Sequence, residues 1–242
     1  MKLHRFFIEK PSLIVGDKLV IEKPLAHYMV NVLRLKLQRP VMLFNDTGHT
    51  FLGTIIEVTR HTLVIEVTES YEESKESNLK VHLVQSISKG ERMDFTLQKS
   101  VELGVTEITP VFSERTEVRV KGERVDSKMA HWRKVIISAC EQSGRNRLPR
   151  LNPPIAMMEW LRLNPITLGI IADPNATETL HKVPIQGEAT LLVGPEGGFA
   201  LTEIHAAIQH GFIPIKMGPR ILRTETAAIA IMTLLQFCGG DL

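Results

Sequence analysis

The chain has 242 residues, of which 43% are hydrophobic, and its formal net charge is +2. This length suits one large domain or two ordinary ones with a sizeable core, and the small net charge excludes a polycation of the histone type. No segment approaches the ~20 apolar residues that a transmembrane helix needs, and the N-terminus lacks the apolar run of a signal peptide. We therefore expect a soluble, cytoplasmic, globular protein.

The first 67 residues consist of short apolar runs separated by turns. One helix is predicted at 25–35, and the turn NDTG at 45–48 is typical of a β-hairpin. The segment 70–78 is polar and charged, which is typical of a linker. These patterns predict a small, mostly β barrel with a domain boundary between residues 72 and 73. The predicted strands are 13–15, 18–22, 41–45, 51–58 and 62–67.

Beyond the linker, strands and helices alternate. A helix is predicted at 93–104, with Asp94 as its N-cap and Gly104 as its end, and another at 126–143 that ends at Gly144. The strands are continuous apolar runs, which indicates burial on both faces and hence a parallel sheet between helices. Residues 73–242 are therefore predicted to form an α/β domain. The predicted strands are 81–87, 107–112, 166–173, 190–194 and 212–218.

A turn with three glycines follows the strand at 190–194, within LLVGPEGGFALTEI at 191–204. It lacks the lysine and hydroxyl of a Walker A loop and the spacing of a G-x-G-x-x-G fingerprint. Glu196 and Glu203 would oppose a phosphate there, whereas Gly197 and Gly198 let a ligand contact the backbone closely. We expect a ligand that is neutral or cationic near the glycines, such as an adenine or a sulfonium nucleoside. The alternative is a merely structural tight turn.

A second Gly-Pro loop, MGPRILRTETA at 217–227, carries Arg220 and Arg223 and leads into a helix near Thr224. Both loops follow buried strands, so we expect them at the carboxyl edge of the sheet, where α/β proteins bind ligands. The helix is apolar on nearly every side between Ala227 and Leu235, which is typical of a subunit interface or a deep core.

Basic residues are concentrated at 113–150, with ten Lys or Arg against five acids. Such a segment favours binding of a polyanion, and the alternative is a solvated helix face. The ten basic residues are Arg115, Arg119, Lys121, Arg124, Lys128, Arg133, Lys134, Arg145, Arg147 and Arg150.

GPEGGF at 194–199 and GPRILRTETA at 218–227 together resemble the paired loops of SPOUT-class RNA methyltransferases. More narrowly, the chain is similar to the RsmE family along almost its whole length. The further matching motifs are RFF at 5–7, VLRLK at 32–36, QKSVELGV at 98–105 and ISACEQSGRNRLP at 137–149. Residues 38–40, QRP, depart from the glycine and acidic residue that this family often has after VLRLK.

The resemblance implies a PUA-like RNA-binding β-barrel at 1–72 and a SPOUT methyltransferase domain at 73–242 with a parallel sheet and a trefoil knot. It implies a homodimer that uses S-adenosyl-L-methionine to methylate N3 of a uridine in 16S rRNA of the small (30S) ribosomal subunit. The cofactor residues that it implies are Leu192, Gly194, Glu196, Gly197, Gly198, Met217, Gly218, Leu222, Thr224 and Thr226.

Removal of the N3 proton leaves a uracil anion, and Arg223 and Arg220 are the candidates that would stabilise it. Glu141 and Glu225 are weaker candidates for the base, with the alternative that they are helix-surface carboxylates. No metal site is expected, because neither cysteine has metal-ligand spacing. The alternative function is a non-enzymatic RNA-binding ribosome-assembly factor. The residues predicted to contact RNA are Arg5, Arg34, Arg115, Arg145, Asn146 and Arg147.

Overall fold

A computed structural model of the chain describes residues 3–117, 122–180 and 183–242. The chain divides into two compact units. Unit 1 comprises Met1–Lys75 and Cys140–Leu148, and unit 2 comprises Glu76–Ala139 and Pro149–Leu242. The boundary between residues 72 and 73 stays a prediction. The sequence pattern did not predict that residues 140–148 belong to unit 1, because the helical periodicity continues through Cys140 without a break.

Unit 1 is built on a five-stranded sheet in the order β1-β3-β4-β5-β2. Neighbours are antiparallel except β1 and β3, which are parallel. The sheet is open, with β1 and β2 at its edges, so it forms only part of the predicted barrel. Along β4 and the first half of β5, inward side chains are buried and alternate with less buried ones, as a half-buried strand requires. The strands are β1 Arg5–Phe7, β2 Lys18–Ile21, β3 Pro40–Phe44, β4 His49–Val58 and β5 Leu63–Glu72.

Three local predictions in unit 1 need correction. Residues 13–15 are not a strand, and the sequence pattern missed β1. The predicted helix at 25–35 is a short α1, Leu25–His27, followed by a π-helical turn, Tyr28–Val32. β5 continues to Glu72 because its last residues pair with the start of β4, so the first part of the predicted linker is strand.

Unit 2 contains a parallel sheet in the order β12-β10-β11-β6-β7-β8, with β9 also paired to β7. The predicted parallel α/β domain is thereby confirmed. Its central strands are buried on both faces, as β6 illustrates with consecutive buried residues at 83–86. The strands are β6 Lys80–Ser86, β7 Val105–Phe112, β8 Arg150–Leu151, β9 Ile155–Ala156, β10 Gly169–Ala172, β11 Glu188–Val193 and β12 Phe212–Ile215.

Two of the helices that follow β6 end at the predicted glycines, but the first of them begins earlier than predicted. Gly104 and Gly144 have φ of +81° and +86° and terminate α2 and α3, as predicted. Asp94 is not an N-cap, because α2 begins earlier, after Gly90; its carboxylate instead lies 2.7 Å from His131 Nε2. The helices are α2 Glu91–Glu102, α3 Glu123–Ser143, α4 Met157–Leu163, α5 Leu201–Gln209 and α6 Thr224–Gly239.

Within the described ranges, no helix combines the length and the apolar character that crossing a bilayer requires. The trefoil knot that the resemblance implies stays a prediction.

Candidate active site

A cavity of about 440 Å³ lies in unit 2 at the carboxyl ends of three neighbouring strands. Ala172 of β10, Val193 of β11 and Ile215 of β12 line it. Because these strands are parallel, their carboxyl ends meet at one edge of the sheet, where α/β proteins bind ligands. The predicted position of the two glycine-containing loops is therefore correct.

Two loops form the walls of this cavity: the first loop, residues 194–200, and the second loop, residues 216–223. Thr224, at the start of α6, connects them. Its Oγ1 donates to the carbonyl of Gly194 at 2.6 Å and accepts from Gln85 Nε2 at 3.0 Å. Since Thr224 and Gln85 are buried, these hydrogen bonds tie the start of the first loop to the start of α6, which directly follows the second loop.

Each loop contains a glycine in a backbone conformation that residues with a side chain rarely adopt. Gly198 and Gly218 both have φ of +67°, in the left-handed region that side chains disfavour. A Cβ at Gly198 would have no neighbour within 4 Å, so its backbone faces open space. A ligand in the cavity can therefore approach the peptide groups of the first loop directly.

Seven of the ten residues implied to hold a cofactor line this cavity: Gly194, Glu196, Gly197, Gly198, Met217, Leu222 and Thr224. Leu192 is buried within β11 instead, and Gly218 is a bend of the second loop. Thr226 lines a different groove beside α6. The cofactor contacts of all ten residues remain predictions.

Glu196 lines the cavity, and hydrogen-bond donors from Lys89 and Arg92 partly offset its negative charge. One carboxylate oxygen, Oε1, accepts from the Lys89 N–H and from Arg92 Nη1, each at 3.1 Å. Partial burial alone would raise the pKa of Glu196, but hydrogen bonds from its own backbone N–H, from Lys89 and from Arg92 lower it below its ordinary value. The expectation that this carboxylate repels phosphate overlooked Arg92, which no motif in the sequence connects with the loop.

Arginines surround the mouth of the cavity. Arg115, Arg220 and Arg223 all line it, and Arg115 Nη1 donates to the carbonyl of Gly197 at 3.0 Å. Neither Arg220 nor Arg223 has a side-chain hydrogen bond or ion pair with another residue that the structure describes. Two guanidinium groups are thus available to a substrate that develops negative charge.

Sequence reasoning missed Asp173 and Asn175, which also line the cavity. Asp173 follows β10 directly, and its Oδ1 accepts from the Asn175 N–H at 2.9 Å. The signal was present, because an acidic residue at the end of a buried parallel strand lies at the ligand edge of the sheet.

Three of the residues predicted to contact RNA take part in hydrogen bonds within unit 1. Asn146 Oδ1 accepts from Arg5 Nη2 at 2.6 Å and from Thr50 Oγ1 at 3.1 Å, while its Nδ2 donates to the carbonyl of Glu73 at 2.7 Å. Arg145 and Asn146 are buried, and Arg5 lies over the ring of Phe44 at 5.0 Å. Half-buried Arg5 is thus engaged within unit 1. The contacts of Arg5, Arg145 and Asn146 with RNA stay predictions.

The other predicted RNA contacts are exposed. Arg34 and Arg147 are at the surface of unit 1, and Arg115 is at the surface of unit 2. Arg147 donates to the carbonyls of Asp46 and Thr47 at 3.3 and 3.1 Å. Their contacts with RNA stay predictions. Of the basic segment, Arg119 and Lys121 lie outside the described residues.

Glu141, one of the two candidate bases, lies in unit 1 and lines neither this cavity nor the groove beside α6. Its Oε1 accepts from the Phe7 N–H at 3.0 Å. Burial raises the pKa of Glu141, and the Phe7 hydrogen bond and Arg5 oppose this only in part. Among the residues that the structure describes, no cluster of His, Cys, Asp or Glu could hold a metal ion.

Comparison with known proteins identifies the family. The RNA methyltransferase domain family matches residues 75–236, and the RNA methyltransferase PUA domain family matches residues 21–68. Ribosomal RNA small subunit methyltransferase E of Buchnera aphidicola subsp. Schizaphis graminum is 42% identical over 243 residues, covering 100% of this chain and 98% of that protein. The chain belongs to the RsmE family. The predicted family and the PUA-like and SPOUT fold class are thereby confirmed, the knot apart.

Two solved structures extend the likeness to three dimensions. The RsmE of Neisseria gonorrhoeae, bound to S-adenosylmethionine, is 37% identical with a TM-score of 0.92, and each chain is covered over 100% of its length. A Legionella pneumophila methyltransferase in complex with S-adenosylmethionine is 38% identical with a TM-score of 0.97, again covering 100% of both chains.

Proposed function

We propose that this member of the RsmE family transfers a methyl group from S-adenosylmethionine to N3 of a uridine in 16S rRNA. The observation that carries the proposal is the cavity at the carboxyl edge of the parallel sheet, with two glycine-containing loops joined through Thr224 and with two guanidinium groups at its mouth. Its relatives' names support an RNA substrate, and two of the similar structures were solved with S-adenosylmethionine.

The residues of the cavity fit this cofactor. A volume of about 440 Å³ lies within the ~300 to 1,000 Å³ of small-molecule sites. Apolar side chains, among them Ile215, Leu222 and Ile231, suit an adenine ring, and the open backbone at Gly198 offers peptide groups for its nitrogens. The carboxylates of Asp173 and Glu196 suit a cationic ligand.

S-adenosylmethionine, when bound, supplies an activated methyl group: the methyl–sulfur bond breaks with its electron pair left on sulfur while the lone pair of uracil N3 forms the new bond. The protein aligns the two reactants, which can contribute about 7 to 11 kcal/mol. Arg220 and Arg223 stabilise the negative charge that uracil acquires as N3 loses its proton.

The alternative, a non-enzymatic RNA-binding assembly factor, is not supported. A protein that only binds RNA does not need the cavity between the two glycine-containing loops, and the family matched is one of methyltransferases. A P-loop site for ATP is not supported either, because the first loop lacks the lysine and the hydroxyl of a Walker A loop.

Three further features are part of the proposal. The substrate is 16S rRNA, either free or within the 30S subunit, which would locate the reaction in the cytoplasm. The protein acts as a homodimer, which the exposed apolar side chains of Ile221 (85% exposed) and Phe237 (70%) support.

The test combines binding with catalysis. Calorimetric titration should give binding of S-adenosylmethionine and not of ATP, and incubation with 30S particles should give N3-methyluridine in 16S rRNA. Arg223→Ala should keep the fold and cofactor affinity but lose methylation, whereas Arg162→Ala, on the exposed face of α4, should be as active as wild type. Preference for ATP, or no methylated uridine with the wild-type protein, would refute the proposal.

A further inference from the structure

A second cavity, which we call the α2–α6 groove, opens beside the first in unit 2 and has a volume of about 800 Å³. Side chains of α2, of α3 and of the first turn of α6 line it. Most of these side chains are polar or charged, whereas the core of an apolar protein–protein interface has few charged residues. The lining residues on which the argument depends are Arg92, Phe95, Lys134, Ser138, Arg223 and Glu225.

The groove and the cofactor cavity share a wall. Arg92 and Arg223 line both, and along the first turn of α6 Thr224 faces the cavity while Glu225 and Thr226 line the groove. A molecule in the groove would therefore lie next to a ligand in the cavity, with Arg223 between them. This is the relation that a methyl acceptor must have to its donor.

The chemistry of the groove suits a pyrimidine base taken out of an RNA strand. Phe95 is 45% exposed, and an exposed aromatic ring is the usual stacking partner of an unpaired base. Arginine and lysine side chains, such as Lys134, can contact the uracil carbonyls and the phosphate of the same nucleotide.

One carboxylate of the groove has an unused oxygen. Glu225 Oε2 is buried and has no hydrogen-bond partner among the residues that the structure describes. The other acids are less suitable: Asp94 is paired with His131 at 2.7 Å, and Glu91 is exposed. A buried acceptor without a donor is costly, and it is satisfied when a ligand brings an N–H group.

We propose that the α2–α6 groove receives the target uracil nucleotide and that Glu225 accepts the N3 proton. This inference rests on the proposed function. The N3–H bond breaks, its proton passes to the Glu225 carboxylate, and its electron pair stays on N3 as the nucleophile for the methyl group. Arg223, on the shared wall, stabilises the charge on the uracil ring during this transfer.

The first test separates proton removal from binding. Glu225→Gln keeps an oxygen that can accept the N3–H hydrogen bond but cannot take the proton. We expect kcat on 30S particles to fall by about 10² to 10⁴-fold, while KM for the particles and Kd for S-adenosylmethionine stay within about twofold. The matched control is Glu159→Gln on the exposed face of α4, which should turn over like wild type. If wild type methylates and Glu225→Gln is equally fast, the role of Glu225 is refuted while the proposed function stands.

The second test blocks the groove without touching Glu225. Ser138→Phe places a ring in the groove, and Ser127→Phe places the same ring elsewhere on the exposed surface of α3. Without cofactor, we expect Ser138→Phe to weaken binding of a single-stranded uridine-containing 16S rRNA fragment at least about tenfold. Cofactor affinity and oligomeric state should match those of Ser127→Phe. Unchanged RNA binding, or a changed oligomeric state with RNA binding intact, would overturn the assignment of the groove to RNA.

Discussion

Thr224 is the residue at which the two loops of the cavity meet, through its hydrogen bonds with Gly194 and Gln85. Thr224→Val keeps the shape of the side chain and removes the hydroxyl. We expect the free energy of unfolding to fall by about 1 to 3 kcal/mol, because buried polar groups lose a partner. S-adenosylmethionine should also bind more weakly, because the first loop loses its tie to α6. Urea denaturation and calorimetry measure the two effects.

Thr233→Val is the control for this prediction, because it removes a hydroxyl from the exposed side of the same helix. Thr233 Oγ1 donates only to the carbonyl of Ile229 within α6, at 2.9 Å. Its substitution should leave cofactor affinity unchanged. Equal stability and equal affinity of Thr224→Val and wild type would show that the loops are held together by other contacts.

For individual residues, the sequence predicted positions in local turns and missed contacts between residues that are far apart along the chain. Gly194 and Gly198 were found because glycines between a strand and a helix are visible as a pattern. Arg92 lies far along the chain from Glu196, and no spacing rule connects the two. The hydrogen bonds of Asn146 were missed for the same reason, since its partners Arg5, Thr50 and Glu73 come from distant segments.

Among the elements, β6 carries a half-buried histidine, beside β7, whose charge affects stability. His82 Nε2 lies 2.7 Å from Thr109 Oγ1, and its ring contacts Trp160 edge-on at 5.5 Å. Burial lowers the pKa of His82 below its ordinary value of 6.5; Glu107 opposes this shift and Arg150 adds to it. As the pH falls below 6.5, His82 is therefore protonated more readily in the unfolded chain than in the folded chain, which favours unfolding.

We expect the free energy of unfolding of the wild-type protein to decrease as the pH falls below about 6.5. His82→Gln, which cannot titrate, should lose this part of the pH dependence. His205→Gln, on the exposed surface of α5, should keep it. Urea denaturation at a series of pH values measures the difference, and parallel curves for wild type and His82→Gln would contradict it.

Element type was more predictable than element position. Continuous apolar runs predicted the parallel strands of unit 2, because burial on both faces leaves no polar alternation. The short β8, β9 and α4 lack a periodicity long enough to detect. β1 has only three residues and is fixed by its pairing with β3, which the local sequence does not encode.

For the whole molecule, the division into two units depends on a segment that the sequence pattern assigned elsewhere. Residues 140–148 belong to unit 1, where Asn146 and the carbonyl of Arg145 accept hydrogen bonds from Arg5. The basic segment at 113–150 is therefore divided between the two units. Of its basic residues, Arg145 is buried in unit 1, whereas Arg115 lines the cavity of unit 2.

This division predicts opposite effects for two arginines of unit 1 that the sequence treated alike. Arg5 lies over Phe44 and donates to Asn146, and burial lowers its pKa while Glu73 and other neighbours raise it. Arg5→Gln should lower the free energy of unfolding by about 1.5 to 3 kcal/mol, the range for hydrogen bonds to charged groups. Arg34 is exposed, so Arg34→Gln should change stability by less than about 0.5 kcal/mol.

In RNA binding we expect the reverse order. If Arg34 contacts one phosphate, Arg34→Gln should weaken binding of 16S rRNA and reduce the slope of log K against log salt by about 0.7 to 0.9. Arg5→Gln, compared at a temperature where it is fully folded, should keep the wild-type slope, because its guanidinium is engaged within unit 1. Filter binding across a series of salt concentrations measures both slopes. A reduced slope for Arg5→Gln alone would mean that Arg5 leaves its partners in unit 1 when RNA binds.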